Sequence, residues 1–379
     1  MTIHWCGTGL SAIPGLRRLI MADHEVAVWN RTIEKARTAV GDLTDAIHIF
    51  DEEALAADLD AGDVVVSMLP GDWQVPLAKR CIEKRAHFVS SSYIAAEMRA
   101  LDGQARAAGV ACVNEMGLDP GIDHLMAHHL VADYRASGAY DPENVLSFTS
   151  YCGGVPKYAN PFRYKFSWSP LGVLRALRAP SRSIRDFQEV NTARPWEGLS
   201  SYSAPLPVPE SFEVYPNRDS LPFISEYRFD PGWKVKEFVR GTLRLKGWAE
   251  AWKDIFAEIE ALEDAPSEEA LERMSDRLWD ENAYAPDEPD RVVLCVSLKA
   301  AHDQETCWHK TYALDAWGDA RGSAMARLVS VPVSLAVEAI LNDEIAPGVT
   351  PAPHAPSLVG PFMKKVATLA QHMRIVTHQ

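Results

Sequence analysis

The sequence predicts an α/β protein: an N-terminal Rossmann domain with a doubly wound parallel sheet, then a second α+β domain with a mixed sheet and a helical insert. Three observations lead there. The chain opens as strand, glycine turn and helix, in "TIHWC", "GTGLSA" and "IPGLRRLIMA". Short continuous apolar runs then alternate with helical segments through the first third, as parallel strands buried on both faces require. From Val145 the texture changes, and prolines cluster between residues 156 and 231. At 379 residues the chain is also long for a single core.

The glycine turn is Gly7-Thr8-Gly9-Leu10-Ser11-Ala12, a G-x-G-x-x-A pattern. Gly7 permits the tight turn, Gly9 lets a pyrophosphate approach the backbone, and Ala12 is small enough for the helix to pack near the strand. The helix start offers N–H groups and a positive dipole end to phosphates. The motif alone is weak, but its place between first strand and first helix is the required context. The second strand, "EVAVW", ends in Asn30, Arg31 and Thr32. An NAD-binding protein usually carries an acid there for the ribose hydroxyls. Asn30 removes the charge that would repel a 2′-phosphate, and Arg31 brings a guanidinium that suits one. The expected cofactor is NADP, with NAD as the alternative.

Further strands are predicted at 47–49, 63–68, 86–90 and 110–114. Ligands bind beyond the carboxyl ends of such strands. "MLPGDW", "SSSYIA" and "GLDPGIDH" follow the last three strands, so Asp119 is expected where a nicotinamide would lie. Asp119 followed by Pro120 also reads as a helix start, with Pro120 at the first helical position. Capping a helix and holding a ligand are both open to Asp119.

Beyond the first domain, "SAPLPVPES" reads as a loop. Residues 247–283 read as an acidic amphipathic helical insert with a solvated face. "RVVLCVSLKA" and "TCWHKTYALDA" read as a hairpin. "SAMARLVSVPVSLAVEAIL" reads as a long apolar helix that Pro332 kinks or breaks. The predicted Rossmann domain covers 1–120, completed by about 320–379. The second domain covers 121–319, with the insert at about 247–290.

Bulk composition narrows the function. The 38 basic and 52 acidic residues leave a net charge of −14, which argues against nucleic acid and against an anionic membrane surface. No apolar run approaches the ~20 residues that span a bilayer. The N-terminus reads straight into a strand, without the pattern of a signal peptide. Six widely spaced cysteines without C-x-x-C suit a reduced, cytoplasmic protein.

Several blocks together resemble the saccharopine dehydrogenase (glutamate-forming) family, also called saccharopine reductase. They are "SSSY" (90–93), "GLDPGIDHLMA" (117–127), "SYCGG" (150–154), "RYKFSWSP" (163–170), "YPNRDSLPF" (215–223), "RGTLRLKGW" (240–248) and "SAMARLVSVPVSLA" (323–336). The resemblance implies oxidation of the secondary amine of saccharopine by NADP, giving L-glutamate and 2-aminoadipate 6-semialdehyde, or the reverse. It implies a second domain that supplies substrate contacts and a homodimer surface. By matched motif, the cofactor would meet Gly7, Thr8, Gly9, Leu10, Ser11, Asn30, Arg31, Thr32, Ser91, Ser92 and Leu118. Substrate would meet Ser92, Tyr93, Asp119, Arg218, Thr242 and Arg244. The loop between Cys152 and Tyr164 is shorter than in the family pattern, which leaves the exact amine open.

The residues support this reading on chemical grounds. Saccharopine carries three carboxylates, and a guanidinium grips a carboxylate with two parallel bonds. Arg218 and Arg244 supply such groups, with Thr242, Arg244 and Lys246 alternating on one strand face. Amine oxidation also needs a proton acceptor near neutral pH. Asp119, Tyr93 and Cys152 are the candidates, with Lys165 a weaker one. His124 and His128 share a helical face, but no H-E-x-x-H and no third ligand accompany them, so no metal is expected. Two other readings stand beside this one. A related enzyme such as carboxynorspermidine dehydrogenase would want fewer arginines in the second domain. A non-catalytic NADP-binding protein would tolerate loss of Asp119 and Tyr93.

Overall fold

The computed structural model describes residues 1–262 and 268–378. Two compact units emerge: Met1–Leu125 with Ala326–Val366, and Met126–Met325 with the chain from Ala367 onward. The three divisions fall inside the helices Ile122–Ala136, Ala324–Leu341 and Pro356–Leu369.

The first unit begins with strands β1 (Ile3–Cys6), β2 (Val26–Asn30), β3 (Ile47–Ile49), β4 (Val64–Ser67), β5 (His87–Ser90) and β6 (Ala111–Val113). The second contains β7 (Val145–Pro156), β8 (Ser181–Arg185), β9 (Gln188–Thr192), β10 (Ser200–Ala204), β11 (Glu210–Pro216), β12 (Lys234–Leu245), β13 (Asp290–His302) and β14 (Glu305–Trp317). β15 (Gly348–Thr350) returns to the first sheet and β16 (His372–Thr377) to the second.

The first sheet runs β15-β6-β5-β4-β1-β2-β3, with every pairing parallel. Its β6-to-β3 portion has the doubly wound order of a dinucleotide-binding fold. β1 and β4 are buried at every position, which is why their runs are mostly apolar on both faces. Leu55, Leu77, Phe88 and Leu101 are among the residues of the core on one side of this sheet. Helix Ile13–Met21 meets the long helix Ala324–Leu341 at Gly15. The first N–H groups of a helix have no partner within it, and Ser330 Oγ accepts the one from Gly15 at 2.8 Å. A Cβ at Gly15 would lie 2.0 Å from the Ser330 carbonyl oxygen.

The second sheet runs β10-β11-β12-β7-β13-β14-β16, with β8 and β9 attached beside β12. It is mixed: β12 and β7 pair in parallel and the other pairings are antiparallel. β13 and β14 form the predicted hairpin. The stretch read as a loop at 203–211 is shorter, because Ala204 pairs with Glu210 and only 205–209 lie outside the strands. The insert forms helices Trp248–Ala251, Lys253–Ala261 and Glu268–Asn282 over an aromatic core that includes Tyr164, Trp248, Trp252 and Phe256. The part of the predicted insert at 263–267 lies outside the described residues.

Two expectations are corrected. Residues from 367 onward, read with the first domain, join the second, because β16 pairs with β14 and satisfies that strand's outer backbone groups. Of the kink or break expected at Pro332, the break is absent, since one helix runs from Ala324 to Leu341. It is long and apolar enough by composition to cross a membrane, although no run of that length was expected, and 83% of it is buried inside the protein.

Gly15→Ala is expected to cost about 3 kcal/mol, since the added carbon meets backbone rather than a movable side chain. A urea titration would register this as a lower midpoint at unchanged slope.

Candidate active site

The parallel sheet sends the loops after β1, β2, β5 and β6 to one edge. Those loops carry Gly7 to Ser11, Asn30 to Thr32, Ser91 to Tyr93, and Asp119. Gly7 has φ +102°, and a Cβ there would lie 3.0 Å from the Met68 carbonyl oxygen. Around Gly9 nothing stands within 4 Å of where a Cβ would be, so its backbone is open to approach. The Thr8 N–H donates to Asn30 Oδ1 at 3.1 Å, and Asn30 Nδ2 donates to the Thr32 carbonyl at 2.8 Å. Asn30 thus ties the glycine turn to the turn after β2. Arg31 is exposed beside it, and Leu10 is 52% exposed. Ser11 is half-buried and Leu118 buried.

Among the described residues, the hydroxyls of Thr8 and Ser67 are buried without a hydrogen-bond partner. Buried polar groups normally find one. Their place, at the ends of the paired strands β1 and β4, is where a dinucleotide's phosphates lie in this strand order. With the open Gly9 backbone and the exposed Arg31, the residues fit a phosphorylated dinucleotide.

Tyr93 and Asp119 are brought together. The Tyr93 hydroxyl donates to Asp119 Oδ1 at 3.0 Å. The helix starts at Ile122, so Pro120 stands two residues ahead of it rather than at its first position. A tight turn intervenes: the Gly117 N–H donates to the Pro120 carbonyl at 2.9 Å and the Ile122 N–H to the Gly117 carbonyl at 3.0 Å. Gly121 has φ +144°, and a Cβ there would lie 2.2 Å from the Gly117 carbonyl oxygen. The turn needs glycine, and it presents Asp119 to Tyr93. Ser92 is held by its N–H on Ser90 Oγ at 2.9 Å.

The second unit holds the remaining candidates. Cys152 is buried in β7. Arg218 is exposed on the turn after β11, at φ +56°. Lys165 is paired with Glu288 at 2.5 Å, which occupies its charge. Arg244 sits in β12 at 6% exposure. Its guanidinium carbon lies 4.8 Å from the ring centre of Tyr164, 5.3 Å from Trp248 and 5.5 Å from Tyr215. Its Nη1 donates to the Leu243 carbonyl at 3.2 Å, while Nε has no partner among the described residues. Glu213, opposite Arg244 in the β11–β12 register, accepts from the Gly247 and Ala249 N–H groups instead. A buried guanidinium without a carboxylate is costly, and ring faces offset only part of that cost. Burial pushes the Tyr164 and Tyr215 phenols up, and the Arg244 charge pulls them partly back. The arrangement suits an incoming carboxylate. Thr242 is half-buried on the same strand, whereas Lys246 falls beyond its end and is exposed.

The ring cage of Tyr164, Tyr215 and Trp248 was not predicted as a site, although each ring lies in a matching block. The signal available was a strand arginine flanked by aromatics from three separate segments. His124 and His128 face different neighbours. His124 Nε2 lies 3.1 Å from Glu115 Oε2, and the His128 ring stands edge-on to Tyr227 at 5.6 Å. Among the described residues no group of three or more His, Cys, Asp or Glu is arranged to hold a metal. None of the six cysteines forms a disulfide.

Comparison with known proteins agrees with this geometry. Residues 6–113 match the family model of the saccharopine dehydrogenase NADP binding domain, and residues 117–369 that of the saccharopine dehydrogenase C-terminal domain. The chain is 30% identical over 440 residues to saccharopine dehydrogenase [NADP(+), L-glutamate-forming] of Saccharomyces cerevisiae, covering 95% of each. It is 29% identical over 385 residues to the mitochondrial alpha-aminoadipic semialdehyde synthase of Mus musculus, covering 83% of this chain. The chain spans about 40% of that relative's length. The structure of apo saccharopine dehydrogenase (L-Glu forming) from Saccharomyces cerevisiae superposes with a TM-score of 0.80 at 26% identity, over 100% of both chains. Matched over both its nucleotide-binding and its C-terminal part, the chain belongs to the saccharopine dehydrogenase family of NAD(P)-dependent oxidoreductases.

Proposed function

We propose that this chain oxidises the secondary amine of saccharopine with NADP, giving L-glutamate and 2-aminoadipate 6-semialdehyde, or runs the reverse condensation. The observation that carries the reading is the hydrogen bond between Tyr93 and Asp119 at the carboxyl edge of the nucleotide-binding sheet. The buried guanidinium of Arg244, which meets rings and a backbone carbonyl rather than a carboxylate among the described residues, supports an acidic substrate, with Arg218 and Thr242 as further contacts.

NADP, when bound, would supply the hydride acceptor for the carbon next to nitrogen on the aminoadipate side. The glycine turn, Asn30 and Arg31 would hold it. The rest falls to the chain's own side chains. The secondary amine must be neutral before hydride leaves, because an ammonium has no lone pair to push it out. Asp119 orients the amine and receives its proton, and the Tyr93 hydroxyl relays it. Water then adds to the imine carbon, and the carbon–nitrogen bond breaks to release glutamate and aldehyde. The same groups return a proton to the leaving nitrogen. Cys152 is the third candidate for proton handling, from the second unit.

Nicotinamide absorbance with purified protein is expected to rise only when saccharopine is present, and faster with NADP than with NAD. Tight NADP binding with no saccharopine turnover would discard the substrate. Asp119→Asn is expected to lower kcat roughly 100-fold with NADP affinity retained; an unchanged rate would remove Asp119 from the chemistry. Arg31→Ala is expected to weaken NADP binding about tenfold and leave NAD binding nearly unchanged. Equal losses for both cofactors in a fluorescence titration would show that Arg31 does not meet the 2′-phosphate.

A further inference from the structure

Three titratable side chains lie buried in the first unit with no part in the chemistry above. Glu115 is 5% exposed, Asp123 0% and His124 1%. Such groups are expensive to bury unless each is paired. Their pairings form one connected path. The Glu115 N–H donates to the Ser92 carbonyl at 3.1 Å, and Glu115 Oε1 accepts the Ile94 N–H at 2.9 Å. One residue therefore grips the chain on both sides of Tyr93. Glu115 does this at φ +56°, a backbone state that costs a side chain-bearing residue about 1–2 kcal/mol. Its second oxygen lies 3.1 Å from His124 Nε2. His124 Nδ1 in turn lies 3.6 Å from Asp123 Oδ2, and Asp123 Oδ1 accepts the Gly121 N–H at 2.7 Å. The path begins beside Tyr93 and ends at the glycine that turns the chain after Asp119.

We propose that Glu115 and His124 are positioning residues that set the contact between the Tyr93 hydroxyl and the Asp119 carboxylate. This rests on the reading of Tyr93 and Asp119 as the proton-handling pair. A buried acid–imidazole contact is poor evidence for stability, since apolar replacements often serve as well. The directed links to both loops of the pair give this one a different purpose. Asp119 and Tyr93 each sit on a separate loop, and the path through Glu115 and His124 joins those loops beneath them.

The test is a double-mutant cycle read by kcat, saccharopine KM and NADP affinity, with urea titration and amide exchange at Ile94 alongside. Glu115→Ala is expected to lower kcat roughly 10- to 100-fold with NADP affinity within about twofold. Glu115→Gln keeps an acceptor for the Ile94 N–H and is expected to restore most of that loss. In an Asp119→Asn background, Glu115→Ala is expected to cost less than about twofold, because its effect runs through Asp119. Should Glu115→Ala not fold, His124→Gln carries the same comparison, with kcat several-fold lower in the wild-type background and unchanged in the Asp119→Asn background. An undiminished kcat, or an equal loss in both backgrounds, overturns the proposal. If the wild-type protein itself does not turn over saccharopine, the substrate reading fails separately. Positioning is then decided by Ile94 amide exchange, faster in Glu115→Ala and restored in Glu115→Gln if the proposal holds, unaltered in both if it does not.

Discussion

The constraint on which the rest depends is the parallel run of the first sheet. When every strand points the same way, every carboxyl end opens on one edge, and the chain has one place to assemble chemistry from distant segments. The glycine turn, the Asn30 turn, the serine loop and the Asp119 turn are separated by more than a hundred residues of sequence, yet all follow carboxyl ends of neighbouring strands. Asn30 shows how closely the loops are coupled. Its side chain accepts from the glycine turn and donates to its own turn, so one amide couples the two loops.

The second unit meets a different requirement. A substrate with several carboxylates needs cations, and a cation held in reserve must be kept from internal acids. Arg244 is lined by the rings of Tyr164, Tyr215 and Trp248, while Glu213, opposite it in the strand register, is committed to backbone N–H groups. The net charge of −14 is therefore no guide to the ligand's charge. A buried guanidinium such as that of Arg244 sets its own local field, which the sum of surface charges does not report.

Much of this could be read from the chain. The glycine turn between strand and helix, the Arg31 position and the arginine of β12 all lie in local patterns whose chemistry is visible without coordinates. The Asp119 turn was legible as a site but ambiguous in role. Asp-Pro before an apolar helix satisfies a capping pattern equally well, and only the Gly117 to Gly121 turn shows that the helix begins later and that the carboxylate meets Tyr93. His124 and His128 invited a shared role from their spacing, but spacing reports a face of the helix and not the partners facing it. Glu115 was not read at all, because a single acid between strand and turn carries no periodic signal.

What the sequence determined alone was the order of elements and the chemistry in each loop: periodicity sets strand or helix, and glycine and proline set the turns. The tertiary structure decided which side chains meet. Tyr93 with Asp119, and Arg244 with Tyr164 and Tyr215, are contacts between separate segments, and Glu115 meets His124 only because the turn at Gly117 to Gly121 folds the chain back. Their distances follow from strand register and helix packing, which no local pattern encodes. The terminal strand makes the same point: its residues read as the end of the first domain, and the open edge of β14 draws them to the second.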